Sequence, residues 1–382
     1  MRTIIVGAGP AGLNAAIHAA NENNEVIIIE KNEKAGKKLF ITGKGRCNVT
    51  NNCSERDFIN HVVTNPKFLF SAINNFSSKH TIEFFETHGV PLVTERGNRV
   101  FPESYHAYDI TDALVKECKR LGVRFDFNVT VLSIQLSGTS FVIKTDRGDY
   151  PADAVVVATG GLSYPSTGST GDGYRFAKRF GHSIVATSPA LTGIKIKEPI
   201  PRNLHGFALR NVSFHVKGEK LEHSEFGEMT FYDGYLDGPI IITTSSFINR
   251  RDNSDLQMEI DFKPALSEEV LMDRIAREVD ANPNGTIEDV LRGLLPAPVI
   301  QFFKENTKLD YRTECHYFSK KERLAFVQSL KHFPLTFAGL VGYERAVVTS
   351  GGVSTKELNS KTLESKLIPT FILQARWWML TP

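Results

Sequence analysis

Apolar positions along the chain fall into short runs punctuated by glycine. The first run, Thr3 to Val6, is β-branched and of strand length. It leads straight into GAGPAG at Gly7 to Gly12, after which Ala-rich Leu13 to Asn21 carries helical spacing. A second apolar strand, Val26 to Ile29, ends at Glu30. The following stretch, Lys31 to Asn51, is basic and glycine-rich and shows neither helical nor strand periodicity over most of its length. Farther on, Arg124 to Thr145 predicts a β-meander, and Ala154 to Ala158 predicts a buried strand ending in Thr159, Gly160 and Gly161. Leu191 to Phe262 is rich in β-branched residues. Leu266 to Phe303 has helical spacing closed by Pro296 and Pro298, and Tyr343 to Val348 reads as a strand again.

Strand, glycine turn, helix and second strand are the context that gives the G-x-G-x-x-G spacing a physical meaning. Gly7 makes the turn, Gly9 lets the backbone approach a pyrophosphate, and Gly12 lets helix and strand pack closely. The helix N-terminus then faces the phosphates. Glu30 lies eighteen residues past Gly12, where a carboxylate accepts the hydroxyls of an adenosine ribose. These features predict a dinucleotide-binding domain at the start of the chain. The choice of FAD over NAD comes from two other segments: the loop Lys31 to Asn51, which has the composition of a cofactor-hugging strap, and the Ala154 to Ala158 strand with its terminal glycines. A strand of that kind, following a three-stranded excursion, is the usual companion of FAD.

Composition narrows the class. The 382 residues are 41% hydrophobic and 23% charged, enough for two or three structural units with large cores. A formal net charge of +2 supplies no field that would argue for nucleic acid or an acidic membrane, so neither is expected as a partner. No signal-peptide pattern and no span of membrane length occur, which predicts a cytoplasmic protein. Cys47, Cys53, Cys118 and Cys315 form neither a disulfide framework nor a metal-ligand spacing, and no metal is expected.

Five ordered blocks resemble the BaiN-like or aminoacetone-oxidase-like group of FAD-binding flavoproteins. They are GAGPAGLNAA at the start, KLFITGKGRCNVTN (Lys38 to Asn51), GNRVFPESYHAYDITDAL (Gly97 to Leu114), ATGGLSYPSTGSTGDGY (Ala158 to Tyr174) and VTSGGVSTKELNSKTLESK (Val348 to Lys366). The resemblance implies an α/β architecture with a Rossmann-type FAD-binding domain of the glutathione-reductase-like kind, formed by residues 1–190 and 341–382. It also implies an inserted mostly-β domain (191–265 and 316–340) and a small helical cap (266–315). Carried over position by position, it places Gly7, Gly9, Pro10, Ala11 and Gly12 on the pyrophosphate, Glu30 on the ribose and backbone Val131 at the adenine edge. Thr159, Gly160 and Gly161 lie beside the cofactor, with Lys31 and Lys38 counted among its contacts. Gly43, Lys44, Gly45, Arg46, Cys47 and Asn48 would lie by the flavin, the cations suiting the charge that reduced flavin acquires at its pyrimidine end; the same two side chains could instead meet the pyrophosphate or solvent. The activity implied is FAD-dependent hydride transfer to or from a small organic substrate bound between the FAD domain and the insertion, with NAD(P)H as a possible electron donor.

Departures from the family pattern are equally specific. The insertion reads FYDGYLDGP at Phe231 to Pro239, without the histidine that family members carry before Gly-Pro. After the GGV block, where the family continues through LYFAGE and a DVD run, this chain reads TFILQARWWMLTP. Shifting the reading frame by one nucleotide turns the codons of Trp377, Trp378 and Met379 into Val-Asp, followed by Val or Ala. The sequence therefore predicts a frame slip near Thr370 and a truncated form lacking the flavin cap. Two other functions stay open at this stage. One is a non-catalytic FAD- or dinucleotide-binding protein; the other is a disulfide oxidoreductase using Cys47 and Cys53, whose spacing is one residue too long. No histidine, His106, His182 and His332 included, is singled out as a catalytic base, and the catalytic residues are unassigned.

Overall fold

The computed structural model describes residues 1–374. Trp377, Trp378 and Met379, on which the frame-slip reading rests, lie outside the described residues. The chain forms two compact units: Met1–Ser188 joined by the segment from Val347 onward, and Pro189–Ala346.

The first unit begins as the sequence predicts, with β1 (Arg2–Val6), α1 (Pro10–Ala19) and β2 (Glu25–Glu30). Next come β3 (Thr50–Asn51), α2 (Glu55–Asn60), α3 (Pro66–Asn75), α4 (Ser78–Thr87), β4 (Leu92–Thr94), β5 (Arg99–Pro102), α5 (Ala107–Arg120) and β6 (Arg124–Phe127). A three-stranded antiparallel meander, β7 (Val131–Ser137), β8 (Ser140–Thr145) and β9 (Gly148–Ala152), precedes β10 (Ala154–Val157), α6 (Asp172–Arg179) and β11 (Ile184–Ala190).

Two boundaries differ from expectation. The meander starts at Val131 and runs to Ala152; Arg124–Phe127, read from sequence as its first strand, instead pairs parallel with β2 at the edge of the main sheet. That sheet is five-stranded and parallel throughout, with the edge opposite β6 formed by Phe371–Leu373 beside β10. Alternation along the strands divides two cores. Ile5, Val26, Ile28 and Val156 pack with Leu13, Ala16, Ile110 and Leu114 of the α1 and α5 side. Ile4, Val6, Ile27, Ile29, Val155 and Val157 pack with Ile134, Phe141 and Ile143 of the meander and with Phe176.

The second unit is a seven-stranded antiparallel sheet with helices. Its elements are β12 (Ile194–Ile196), β13 (Ala208–Gly218), β14 (Leu221–Tyr232), β15 (Tyr235–Asp237), α7 (Pro239–Ile248), β16 (Gln257–Asp261), α8 (Glu268–Ala281), α9 (Ile287–Leu294), α10 (Ala297–Glu305), α11 (Lys320–Lys331), β17 (Phe333–Leu335) and β18 (Phe337–Leu340). The run PIIITTSSFI, which β propensity assigns to a strand, is the helix α7. Ile240, Ile241 and Ile248 are buried, and Thr244 and Ser245 hydroxyls donate to the Ile240 and Ile242 carbonyls within the helix. Burial on several sides overrides propensity here. Pro296 follows the C-cap of α9, where a helix ends, and with Pro298 also opens a further helix, α10, because a proline in the first turn gives up an N–H that would have no intrahelical acceptor. The helical residues 266–315, expected as a separate cap, share one core with the sheet: Leu271, Ile275, Leu291 and Phe302 belong to the same cluster as Phe214, Phe231 and Ile260. Tyr343 to Arg345 form a turn, and the last described strands, β19 (Val348–Val353) and β20 (Phe371–Leu373), return the chain to the first unit.

Candidate cofactor site

The GAGPAG turn is fixed by contacts that leave no room for side chains at two of its glycines. Gly7 has φ +105°, and a Cβ there would stand 2.6 Å from the Ala158 carbonyl oxygen. A Cβ on Gly12 would stand 1.9 Å from the Gly7 carbonyl oxygen. Gly9 is different: its backbone is extended (φ −75°, ψ 177°), and an added Cβ would meet nothing within 4 Å. Gly9 is also the N-cap of α1, and no side chain caps the helix, so its first-turn N–H groups have no side-chain partner. Glu30 locks the turn from the end of β2. Its Oε2 accepts from the Ala8 N–H (2.7 Å), and its Oε1 accepts from the N–H (2.8 Å) and side-chain amide (2.7 Å) of Asn32.

A second glycine turn follows β10. Gly160 has φ +72°, and a Cβ there would lie 2.7 Å from Ser169 Oγ. Gly161 faces Thr349 in the same way, at 2.7 Å from its Oγ1. That buried hydroxyl accepts from the N–H groups of Leu162 (2.9 Å) and Ser163 (3.1 Å), so β19 clamps the loop after β10. Thr159 Oγ1, in the same turn, is buried without a hydrogen-bond partner.

The strap expected between Lys31 and Asn51 contains a kinked stretch of 3-10 turns at Leu39–Gly45. Its start is tied to the first turn, where the Gly36 N–H donates to the Ala8 carbonyl (2.9 Å). Lys31 Nζ donates to Thr170 Oγ1 (2.7 Å) and pairs with Asp172 (2.8 Å). Burial alone would raise the Asp172 carboxyl, but the hydrogen bond and charge of Lys31 hold it below the usual carboxylate range. Lys38 Nζ donates to the Ser163 carbonyl (2.7 Å) and Ser169 Oγ (2.8 Å). Burial pushes its ammonium down to about 8.

These segments surround a cavity of about 490 Å³ within the first unit. Of the residues singled out from sequence, Gly7, Gly9, Pro10, Ala11, Glu30, Lys31, Lys38, Cys47, Asn48, Val131, Thr159, Gly160 and Gly161 line it. Gly12, Gly43, Gly45 and Arg46 do not. Gly12 serves the contact between helix and turn. Gly43 and Gly45 adopt positive φ in the kinked strap, as does Lys44. Arg46, expected to face the flavin, the pyrophosphate or solvent, is partly exposed, and its guanidinium lies 4.4 Å from the centre of the Phe101 ring and 3.0 Å from a Glu95 carboxylate oxygen. Asn32, Ser169, Asp172 and Thr349 line the cavity without having been singled out, although the last three fall inside the glycine-rich blocks TGSTGDG and VTSGGV. An apolar wall of Phe76, Phe84, Phe85, Ile110 and Leu114 was also missed. Phe84 and Phe85 come from α4, Ile110 and Leu114 from α5, and Phe76 follows the end of α3, so no single stretch of sequence announces the wall.

The rival chemistries lose their reactive groups. Burial pushes the Cys47 thiol up to about 11 and also raises that of Cys53, so neither is a thiolate nucleophile at neutral pH. His106 sits at the N-cap of α5, and His332 lies on the surface between Glu259 and Glu268. His182 stands in a Ser–His–Glu row, with Nε2 2.8 Å from Ser365 Oγ and Nδ1 3.1 Å from Glu357. Ser365 Oγ is buried and already accepts from the Leu367 and Ile368 N–H groups, so the row ties down the segment before β20 rather than presenting a nucleophile. The segment FYDGYLDGP forms the tight turn between β14 and β15 and the start of α7. Among the described residues, no cluster of potential ligands could hold a metal ion, and no helix is long and apolar enough to cross a membrane.

The cavity's polar lining suits a dinucleotide. Open space at Gly9, an uncapped helix N-terminus, an ammonium without a carboxylate partner and an orphaned Thr159 hydroxyl together offer donors to an anionic ligand. The sequence profile described as "HI0933-like protein Rossmann domain" matches residues 1–374. The chain belongs to this family. Its Rossmann-type domain is of the FAD-binding kind, and the chain is an enzyme, an FAD-dependent oxidoreductase, so the non-catalytic reading is set aside. It is 28% identical over 366 residues to a 3-dehydro-bile acid delta(4,6)-reductase of Clostridium scindens, covering 95% of this chain and 89% of that protein. It is 27% identical over 371 residues to the ribosomal RNA dihydrouridine synthase of Escherichia coli K12, covering 96% and 88%. Among solved structures, a 3-ketosteroid-delta4-(5alpha)-dehydrogenase from Rhodococcus jostii aligns over 99% of this chain and 90% of its own, with 12% identity and a TM-score of 0.46.

Proposed function

We propose that this chain is an FAD-dependent reductase that transfers hydride to a carbon–carbon double bond conjugated with a carbonyl group in a small organic molecule, drawing its electrons from NAD(P)H. The observation that carries the FAD part is the cavity between the two glycine turns. There, a helix without a side-chain cap, the space beside Gly9 and the Glu30 carboxylate fall in the order that a pyrophosphate and an adenosine ribose require. The substrate class is supported by the names of two relatives. Reducing a delta(4,6) double bond in a 3-dehydro bile acid, and making dihydrouridine from uridine, both add two hydrogens across a carbon–carbon bond conjugated with a carbonyl.

Bound FAD supplies the hydride chemistry. The protein's own groups bind, orient and exclude water. First-turn N–H groups of α1 would hold pyrophosphate oxygens in the space beside Gly9. Glu30 already accepts three hydrogen bonds, and a carboxylate with about four lone-pair sites keeps room for a ribose hydroxyl. The Val131 backbone lies close to this end, because the nearby Val129 N–H donates to the Glu30 carbonyl (3.1 Å), and it would be the group to meet the adenine edge. Thr159 Oγ1, buried without a partner, would find one in the cofactor. Phe84, Phe85, Ile110 and Leu114 keep that side of the cavity dry, which strengthens the electrostatic contacts made inside it.

The test is spectroscopic. FAD-loaded protein, held without oxygen, should lose its flavin colour on addition of NADH or NADPH. It should regain the colour with a 4-en-3-one but not with the corresponding saturated ketone. A uridine-containing RNA fragment serves as the competing arm. Recovery with RNA alone would overturn the small-molecule reading, and no recovery with either would overturn the substrate class.

A further inference from the structure

His182 is a buried titratable group that the cofactor site does not use. It follows α6, and its ring is fully shielded from solvent between Ser365 Oγ, 2.8 Å from Nε2, and a Glu357 carboxylate oxygen, 3.1 Å from Nδ1. Counting bonds fixes where its proton sits. A hydroxyl has two lone pairs and one hydrogen. Ser365 Oγ already accepts from the Leu367 and Ile368 N–H groups, both at 3.0 Å, so its own hydrogen is what it offers to His182. Nε2 is therefore the bare, accepting nitrogen, and the ring proton is on Nδ1, donated to Glu357. The same Glu357 oxygen accepts from the Ser183 N–H (2.9 Å). Each polar atom of the row is satisfied while His182 is neutral. A second ring proton, on Nε2, would meet an oxygen with no lone pair left.

The row holds an edge of the main sheet. The Ser365 N–H donates to the Phe371 carbonyl (2.8 Å), and the Phe371 ring centre lies 6.3 Å from that of the imidazole. Beside it, the Val155 N–H of β10 donates to the Thr370 carbonyl (3.0 Å), and β10 leads into the Thr159–Gly161 turn. We infer that neutral His182 is an acid-sensitive latch: when the ring takes a second proton, Ser365 turns its oxygen toward it, the Leu367 and Ile368 N–H groups lose their acceptor, and β20 loosens from β10. Burial disfavours the imidazolium and holds His182 below its ordinary value of 6.5, against the hydrogen bond and charge of Glu357. Burial would raise Glu357 too, but the bonds from Ser183 and His182 keep it below the usual carboxylate range, so it stays ionised while His182 titrates. Charged groups on the neighbouring stretches are engaged or exposed. Glu364 accepts from the Thr370 N–H, Lys366 Nζ donates to the Lys356 carbonyl, and Lys178 and Arg179 at the end of α6 face solvent. Once the segment opens, the ring is free to take its proton at the ordinary value, so opening takes up a proton. The latch holds fully above pH ~6.5 and weakens progressively as pH falls below it.

The test is hydrogen exchange in the full-length protein, expressed as protection factors so that the intrinsic pH dependence of exchange divides out. Protection of the Leu367 and Ile368 amides should fall about tenfold or more between pH ~7 and ~5, with Val155 following, while Ile28 inside the main sheet stays level. Glu357→Gln keeps an oxygen for both the Ser183 N–H and the ring but removes the charge that favours the imidazolium, so the fall should move to lower pH. His182→Gln puts a side chain there that does not titrate, and protection should then be level across the range. A merely structural histidine would leave the pH profile unmoved in both variants. Imidazole nitrogen shifts give a reading that needs no variant: at pH ~7.5 the proton should be on Nδ1. A proton on Nε2, protection at Leu367, Ile368 or Val155 that does not change with pH in the unaltered protein, or an unshifted profile in Glu357→Gln each overturns the latch.

Discussion

The Gly7–Gly12 turn and the Lys38–Asn48 segment both border the cavity, and they acquire their backbone shapes by opposite routes. In the turn, glycine stands wherever sterics demand it. Gly7 takes a positive φ against Ala158, and Gly12 allows the helix to approach the turn to within a distance no side chain survives. In the segment, positive φ falls on Gly43 and Gly45 but also on Lys44 and Cys47, residues that pay a steric penalty there. Outside contacts hold that shape. The Val49 N–H donates to the Val100 carbonyl (2.8 Å), and Arg46 lies on the Phe101 face and pairs with Glu95. A turn specified by its own residues is robust and readable; a segment specified by its neighbours can hold a strained geometry against a ligand but carries no local signature of it.

The largest effect that separates these cases lies inside the turn. Gly12→Ala puts a methyl group 1.9 Å from a backbone carbonyl, and the strand, turn and helix cannot all stay in place. A loss of about 3 kcal/mol or more is expected, measured by denaturant unfolding. Gly9→Ala, three residues earlier in the same motif, should leave unfolding within about 0.5 kcal/mol of the unaltered protein, because the new methyl meets nothing. It should instead weaken FAD binding by about tenfold or more, because the space it fills is the one assigned to the pyrophosphate. Equal stability losses in the two variants would mean that Gly9 is a packing position as well, and the assignment of that space would fall.

The second glycine turn is intermediate, since its shape depends on a residue from the other end of the sequence. Thr349→Val keeps the volume and removes the oxygen that accepts from the Leu162 and Ser163 N–H groups. With buried donors left unpaired, about 1–3 kcal/mol of stability should be lost by thermal or denaturant unfolding. Hydrogen exchange at Leu162 and Ser163 should speed up while the Ile4 and Ile27 amides in the main sheet keep their protection. Unchanged exchange at those two amides would show that the loop holds itself.

What was legible in the sequence follows the same division. Strand, fingerprint, helix, second strand and Glu30 are read from local pattern because each is fixed by neighbours within a few residues. The strand before Thr159 is readable as an apolar run for the same reason. Thr349 is not readable as a clamp, because Leu162 lies 187 residues away in sequence. Arg46 was expected to meet the cofactor or solvent, yet the ring that takes its guanidinium is on β5. The helix α7 was hidden by its own composition, since β-branched residues state a preference that burial then overrules. The edge strand β6 was read as part of a meander because a short alternating run such as RFDF does not announce its pairing partner.

The smallest effect tests the strap directly. Lys44 is exposed and sits at φ 59°, ψ 39°, a conformation that glycine enters freely and a side chain does not. Lys44→Gly removes that strain in the folded state and adds freedom to the unfolded one. The two terms oppose each other, with strain the larger, so a gain of about 0.5–1 kcal/mol is expected in denaturant unfolding. FAD affinity should not change, because Lys44 does not line the cavity. A loss of stability would mean that the left-handed conformation is not what limits the strap. A weaker hold on FAD with stability unchanged would place the Lys44 charge at the cofactor, giving the strap the electrostatic role that Arg46, turned toward Phe101 and Glu95, does not fill.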